Sequence, residues 1–136
     1  MIYAVIDTNV LVSALMAKND DATVRQVVNA IIDGKIIPMY VDEIINEYME
    51  VLSRPQFHFP SELCAGLIAR IKKYGVSSER ASFQEVMQDE SDRVFYEVAL
   101  SRDDAYLVTG NLKHFPKAPI VVTPAQMLDI IRQQEA

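Results

Sequence analysis

The feature that most constrains this chain is an alternation of short apolar runs with longer stretches of helical periodicity. Nearly continuous apolar runs occupy residues 2–6, 36–41, 106–108 and 120–122. Runs of this length and composition predict strands that are buried on both faces of a sheet. Between these runs, apolar residues recur at the three- and four-residue spacing of amphipathic helices in residues 22–32, 42–52, 61–74, 91–101 and 124–131.

Strands that alternate with helices imply right-handed crossovers and a parallel sheet. The predicted fold class is therefore α/β, a three-layer α/β/α sandwich with a central parallel sheet of four to five short strands. No repeat, low-complexity tract or linker interrupts the pattern, so residues 1–136 are predicted to form one domain. The least regular stretch, residues 76–89, is expected to be a connection with a short extra strand near Phe83.

The composition excludes several classes of protein. The single cysteine, Cys64, has no partner within the chain, which argues against a disulfide-stapled secreted scaffold. No apolar run approaches the length of a membrane span, and the first residues lack the basic region of a signal peptide. We therefore expect a soluble, cytoplasmic protein with no membrane partner. The formal net charge of −6, taken alone, argues against a nucleic-acid partner, whose phosphates usually meet a surplus of Lys and Arg.

Polar residues directly follow three of the predicted strands. Asp7 follows the first apolar run, Asp42 the second, and residues 109–111 the third. In open parallel sheets, ligands bind beyond the carboxyl ends of the strands, near the point where the strand order reverses. These residues are therefore candidates for a functional site. Asp7 also suits the N-cap of a following helix, and one carboxylate can serve both roles.

Two further acids are predicted to lie beside the core. On ideal helix geometry, Glu47 borders the apolar stripe of its helix, whereas Glu43 and Glu50 face water. Asp92 shares a helix face with core residues, where an unpaired carboxylate is costly to desolvate, and Asp89 is the better candidate for the N-cap of that helix. Ordinary solvated or capping roles remain open for these acids.

Carboxylates that meet at one edge of a sheet raise one another's pKa unless a divalent cation neutralises them. An all-oxygen set of ligands suits Mg²⁺ or Mn²⁺ rather than zinc. The two histidines, His58 and His114, are too few and too scattered in sequence for a zinc site. The chemistry that this arrangement predicts is hydrolysis of a phosphodiester by a metal-activated water.

Four motifs follow one another along the chain: IDTNVLVS at residues 6–13, EYMEVL at 47–52, DESD at 89–92 and LVTGN at 107–111. In this order they resemble the PIN domain, the metal-dependent ribonuclease fold of many toxins in prokaryotic toxin–antitoxin pairs. The likeness runs from Ile2 to about Met127, which is nearly the whole chain.

The resemblance implies that Asp7, Glu47 and Asp92 are the catalytic, metal-binding acids. The family often has a fourth acid after the Thr-Gly pair, where this chain has Asn111. An amide oxygen can touch a metal but carries no charge, so we expect one tightly bound Mg²⁺ or Mn²⁺ and a second recruited with substrate. Supporting polar groups are expected at Thr8, Asn9, Asp89 and Thr109.

The function implied by the resemblance is that of a metal-dependent endoribonuclease, the toxin of a toxin–antitoxin pair. RNA is the expected substrate, an antitoxin protein the expected partner and a homodimer the expected assembly. Residues 53–83 carry five basic and two acidic side chains, a local net charge of +3, which suits contact with phosphates beside a bound metal. The candidate phosphate-binding residues are Arg54, Arg70, Lys72, Lys73 and Lys113.

Two other functions fit parts of the pattern. Acids at strand ends also occur in receiver domains, which are phosphorylated on aspartate, and in phosphatases with an aspartate nucleophile. Asp7-Thr8-Asn9 lacks the second aspartate that such phosphatases carry two residues after the first. The other alternative is a weakly active or inactive PIN-like binding module, because Asn111 would then mark a decayed site.

Overall fold

A five-stranded parallel sheet flanked by six helices forms the centre of the computed structural model, which describes residues 1–136. The strands are β1 (Ile2–Ile6), β2 (Ile36–Tyr40), β3 (Val76–Ser77), β4 (Ala105–Val108) and β5 (Val121–Val122). The helices are α1 (Thr8–Met16), α2 (Thr23–Ile32), α3 (Asp42–Leu52), α4 (Ser61–Tyr74), α5 (Arg93–Ala99) and α6 (Pro124–Glu135). Short 3₁₀ turns lie at Pro55–Phe57, Glu90–Asp92 and Leu112–His114. The predicted α/β fold class is confirmed.

The strand order is β3-β2-β1-β4-β5, and every neighbouring pair is parallel. The chain runs outward from β1 through β2 to β3 and then returns to β4 on the other side of β1. The strand order therefore reverses between β1 and β4, which is where ligands bind in open α/β sheets. Receiver domains have the order 2-1-3-4-5 instead, so this sheet is not that of a receiver domain.

The core is one cluster of 34 buried apolar residues. Four of the five residues of β1 are buried, because helices cover both faces of the central strands. The apolar stripe of α3 is buried as predicted, while Glu43 and Glu50 on the same helix are exposed. None of the six helices combines the length and apolar composition that a membrane-spanning segment needs.

The main differences from the sequence prediction concern residues 76–101. The strand expected near Phe83 is wrong: β3 lies at Val76–Ser77, where it pairs with the end of β2. Phe83 instead packs edge-on against Tyr96, with ring centroids 4.8 Å apart, and its backbone N–H donates to Glu97 rather than to a strand. The helix expected over residues 91–101 begins as a 3₁₀ turn and ends at Ala99.

Candidate functional site

Asp7 lies at the carboxyl end of β1 and is 6% exposed. Its backbone N–H donates to the carbonyl of Val108 at 2.9 Å, so the pairing of β1 with β4 fixes its position. The hydroxyl of Thr109 donates to Asp7 Oδ2 at 2.8 Å. Asp7 occupies the N-cap position of α1, but its side chain makes no capping hydrogen bond. Its carboxylate is therefore engaged by the loop after β4 rather than by the end of the helix.

The acids at this edge of the sheet affect one another's ionisation. Burial raises the pKa of Asp7 to about 6, the hydrogen bond from Thr109 opposes this rise, and the negative charges of Asp92 and Glu47 add to it. The structure thus brings together acids from the end of β1, from α3 and from the turn before α5. A raised pKa is the expected response of a buried carboxylate with other acids nearby and no cation to neutralise them.

Glu47 is half-buried on α3, at the border of the core where helix geometry places it. The hydroxyl of Thr8 donates a hydrogen bond to Glu47 Oε2. Burial raises the pKa of Glu47, while the Thr8 hydroxyl acts in the opposite direction. Thr8, at the start of α1, therefore orients this carboxylate from the neighbouring helix.

The other two glutamates on α3 have arginine partners. Arg80 Nη1 lies 2.7 Å from Glu43 Oε2, and Arg54 Nη2 lies 2.9 Å from Glu50 Oε2. Glu47 has no such ion pair, although the charge of Arg54 lowers its pKa somewhat. Of the three glutamates, Glu47 is thus the one left available to a cation from outside the chain.

Asp92 is half-buried in the turn before α5, and its Oδ2 is a buried oxygen that accepts no hydrogen bond. Burial raises its pKa, the charge of Asp89 adds to this rise, and His114 opposes it. His114 Nδ1 lies 3.5 Å from Oδ2, beyond normal hydrogen-bond length. Buried oxygens without a partner are rare, so this one indicates a place for a ligand.

Asp89 has the capping role that its position predicts. Its Oδ1 accepts hydrogen bonds from the backbone N–H of Ser91 at 2.9 Å and from the Ser91 hydroxyl at 2.8 Å. These bonds lower the pKa of Asp89. Asp89 therefore shapes the turn that carries Asp92.

The loop after β4 completes the edge of the site. The buried hydroxyl of Thr109, which donates to Asp7, also accepts a hydrogen bond from the backbone N–H of Asn111 at 3.0 Å. Asn9 Oδ1, on α1, accepts one from the backbone N–H of Gly110 at 3.1 Å. Thr109 and Asn9 thus tie this loop to the acid at the end of β1 and to the start of α1.

Two further side chains of the site make contacts that the sequence did not predict. Tyr48, which the helical pattern assigns to the core, is buried, and its hydroxyl donates to the carbonyl of Ile6, the residue before Asp7. Burial and the charge of Asp7 raise the pKa of Tyr48 well above its usual range. His114 contacts both Asn111 and Asp92. Only the three-residue spacing between Asn111 and His114 signals this role in the sequence.

No three His, Cys, Asp or Glu side chains lie close enough, as they stand, to hold one metal ion. The chemistry of the donors nevertheless fits Mg²⁺ or Mn²⁺, since a hydrated cation of this kind is held by one or two carboxylates and keeps several waters. Two observations support the fit: Asp92 Oδ2 lacks a partner, and the charges of Asp92 and Glu47 add to the rise that burial causes in the pKa of Asp7. The donors do not form a closed zinc site.

The predicted phosphate-binding residues are spread over two surfaces. Lys113 is exposed and lines a cavity of about 250 Å³ beside the segment that leads to α5. Arg54 lies near the acids of α3. Arg70 lines a separate cavity of about 400 Å³ between α1, α2 and α4. Lys72 and Lys73 are exposed in the last turn of α4, and no ion pair joins either to the acids.

Comparison with known proteins agrees with this architecture. A family model described as the PIN domain matches residues 3–113, which covers most of the chain and all four motifs. No curated protein matches the sequence. The matched residues include the converging acids and the loop after β4, and they end just before His114. The chain therefore belongs to the PIN domain family, whose fold is of the nuclease type.

Proposed function

We propose that this protein is an endoribonuclease that requires Mg²⁺ or Mn²⁺ and hydrolyses RNA phosphodiester bonds. One observation carries the proposal: where the strand order reverses, Asp7, Glu47 and Asp92 lie near enough to raise one another's pKa, and Asp92 Oδ2 has no hydrogen-bond partner. Neighbouring carboxylates that are partly buried at the ends of the strands repel one another unless a cation binds between them. Membership of a nuclease-type family supports the same conclusion.

The proposed metal-binding residues are these three acids, with Asn111 as a fourth, uncharged donor. These residues would hold one ion tightly and a second, more weakly bound ion together with the substrate. When bound, the metal supplies a Lewis acid for a phosphate oxygen and lowers the pKa of a water molecule. Thr109 and Thr8 orient the carboxylates of Asp7 and Glu47 in advance, through the hydrogen bonds described above, as outer partners commonly do at metal sites.

The basic residues are proposed to bind the RNA backbone. Arg54 lies near the acids of α3, and Lys113 adjoins His114, which lies beside Asp92. Both are proposed to contact phosphates next to the metal, while Arg70, Lys72 and Lys73 on α4 would extend the contact to a longer RNA. Because the chain carries a net charge of −6, such local contacts and the metal must supply most of the attraction for phosphate.

The biological setting is proposed from family membership alone. The chain is proposed to act in the cytoplasm as the toxin of a toxin–antitoxin pair, restrained by an antitoxin protein, with residues 1–136 forming one domain that assembles as a homodimer. A gene for a short DNA-binding protein beside the gene for this chain would support this setting.

The decisive experiment compares RNA cleavage by the wild type, Asp7→Asn and Asp103→Asn. Asp103 is an exposed carboxylate before β4, at the opposite end of the strand, and so provides a matched control. Single-stranded and structured RNAs are incubated with Mn²⁺, with Mg²⁺ and with a chelator. We expect cleavage that requires metal, survives Asp103→Asn and falls more than about 100-fold in Asp7→Asn, since loss of a supporting residue alone costs about 10- to 100-fold.

Equal cleavage by the wild type and Asp7→Asn would contradict the assignment of Asp7. A wild-type protein that binds no Mn²⁺ and cuts no RNA would favour the inactive binding module, for which the uncharged Asn111 is the specific observation. Activity with RNA in the presence of chelator would reject the metal requirement.

A further inference from the structure

Three side chains beside the candidate metal site form a connected row. Asn111 Nδ2 lies 2.9 Å from His114 Nε2, and His114 Nδ1 lies 3.5 Å from Asp92 Oδ2. One imidazole therefore stands between the amide of the loop after β4 and the unpartnered carboxylate oxygen of the turn before α5. The function proposed above assigns no role to His114.

The chemistry of these groups assigns the proton of the imidazole. An amide nitrogen donates hydrogen bonds and does not accept them, so His114 Nε2 must be the nitrogen that carries the lone pair. The proton of the neutral ring is then on Nδ1, the nitrogen that faces Asp92. In the other neutral tautomer, the lone pair of Nδ1 would face the carboxylate and Nε2–H would face the amide N–H₂, so both contacts would be repulsive.

The orientation of the Asn111 amide follows from this tautomer. With Nδ2 turned toward His114, no hydrogen bond within the chain engages Asn111 Oδ1. The backbone of Asn111 is fixed as well, because its N–H donates to Thr109 Oγ1. An asparagine has one end that binds a cation and one end that repels it, so its orientation decides whether it contributes a ligand.

We propose that His114 is a positioning residue: it accepts a hydrogen bond from Asn111 Nδ2 and thereby keeps Asn111 Oδ1 available to the divalent cation. Asp92 in turn favours the required tautomer through Nδ1. An aspartate at position 111 would need no such partner, since a carboxylate presents an oxygen in either orientation. This inference rests on the proposed metal-dependent function. It identifies His114 as the residue that orients the Asn111 amide so that its oxygen can bind the cation.

The test is a double-mutant cycle read out by Mn²⁺ binding, measured by calorimetry without RNA and at one pH for all proteins. The proteins are the wild type, His114→Leu, Asn111→Asp and the double variant. We expect His114→Leu to weaken Mn²⁺ binding about 10-fold when Asn111 is present, the lower end of the effect of lost outer partners. In the Asn111→Asp background, His114→Leu should weaken Mn²⁺ binding less than about twofold, because no amide then needs to be oriented.

A further variant separates positioning from packing. In His114→Gln, the side-chain oxygen can accept from Asn111 and the nitrogen can donate toward Asp92, so Mn²⁺ affinity should return to within about threefold of the wild type. Equal losses for His114→Leu in both backgrounds, or a His114→Gln protein as weak as His114→Leu, would overturn the inference. Thermal unfolding in chelator checks that each variant is folded.

Different results would reject the proposed metal site and the positioning role of His114. If the wild type and Asn111→Asp both bind no Mn²⁺, the proposed metal site itself is rejected, and with it the role of His114. If both bind Mn²⁺ and His114→Leu binds it as tightly as the wild type, the metal site stands and only the positioning role is overturned.

Discussion

The hydroxyl of Thr109 donates a hydrogen bond to Asp7 Oδ2 at 2.8 Å across 102 positions of sequence. Both residues are buried, at the adjacent carboxyl ends of β4 and β1, where the strand order reverses. The same hydroxyl accepts a hydrogen bond from the backbone N–H of Asn111. One side chain therefore connects the acid after the first strand to the loop that carries Asn111.

Thr109→Val keeps the shape of the side chain and removes the hydroxyl. We expect it to lower the free energy of unfolding by about 1–3 kcal/mol, because Asp7 loses a buried donor and the N–H of Asn111 loses its acceptor. The pKa of Asp7 should also rise further, since the Thr109 hydroxyl now lowers it. Urea unfolding and an NMR titration of the carboxyl groups measure the two effects. Thr109→Ser retains the hydroxyl and is the control; a valine variant as stable as the wild type would contradict the role of this bond.

The ionisation of Asp7 makes the metal-free protein less stable as the pH rises. Its pKa is raised from the ordinary 3.8 to about 6, so between these values the folded state holds a proton that the unfolded chain has released. The contribution of Asp7 to the free energy of unfolding is therefore largest below about pH 4, and it is lost as the pH rises through about 6. The difference between the two pKa values corresponds to about 3 kcal/mol.

Asp7→Asn isolates this contribution from those of the other acids. In chelator, we expect the variant to gain stability relative to the wild type as the pH increases from about 4 to about 7, by an amount on the order of 3 kcal/mol. Chemical denaturation at several pH values measures the gain. A constant difference between the two proteins across this range would show that Asp7 titrates near its ordinary value.

Most of the fold is predictable because its signals are local. In β1, β2, α3 and α4, the buried positions are apolar. The spacing of apolar residues within each segment is therefore enough to predict its type. β3 has no such signal: Val76 and Ser77 are both exposed, and the strand exists because it pairs with Met39 and Tyr40 at the end of β2. The sequence indicated α1 only through the capping preference of Asp7, and no helix was predicted over its residues, Thr8–Met16.

The candidate site shows the same division. Strand ends and helix angles are local properties, so Asp7 and Glu47 are predictable as site residues. The partners that orient them belong to other elements: Thr8 reaches Glu47 from α1, and Thr109 reaches Asp7 from the loop after β4. His114 was not predictable as a neighbour of Asp92, because only the fold brings the two together.

Divalent metal should stabilise the folded protein through Asp92. We expect Mn²⁺ at about 100 times its dissociation constant to raise the free energy of unfolding of the wild type by about 2.7 kcal/mol. The increase should be much smaller for Asp92→Asn and unchanged for the exposed control Asp103→Asn. Because Asp92 Oδ2 accepts no hydrogen bond, Asp92→Asn should be about as stable as the wild type in chelator. Thermal unfolding with and without Mn²⁺ measures both effects, and equal stabilisation of all three proteins would exclude Asp92 as a ligand.

Glu97 is a buried carboxylate on α5 that anchors the irregular segment before Asp92. Its Oε2 accepts from the backbone N–H of Phe83 at 2.9 Å, and its Oε1 accepts from Arg80 Nε at 2.8 Å. Both hydrogen bonds lower the pKa of Glu97, which agrees with a charged anchor. The segment leading to the proposed metal ligand is therefore held by a residue outside the four motifs.

Glu97→Ala should lower the free energy of unfolding by about 3 kcal/mol, because it leaves the N–H of Phe83 and the guanidinium of Arg80 without their acceptor. Glu97→Gln retains a carbonyl oxygen that can accept from the backbone N–H of Phe83. We therefore expect this variant to lose about half as much unfolding free energy as Glu97→Ala. The matched control is Glu85→Gln, an exposed position whose side chain makes no hydrogen bond within the chain. Urea unfolding ranks the variants, and hydrogen exchange should show faster opening of residues 80–85 in Glu97→Ala. If Glu97→Ala were as stable as the control, with unchanged exchange, the segment would have to be held by other contacts, chiefly those from Arg93 to the carbonyls of residues 83 and 85.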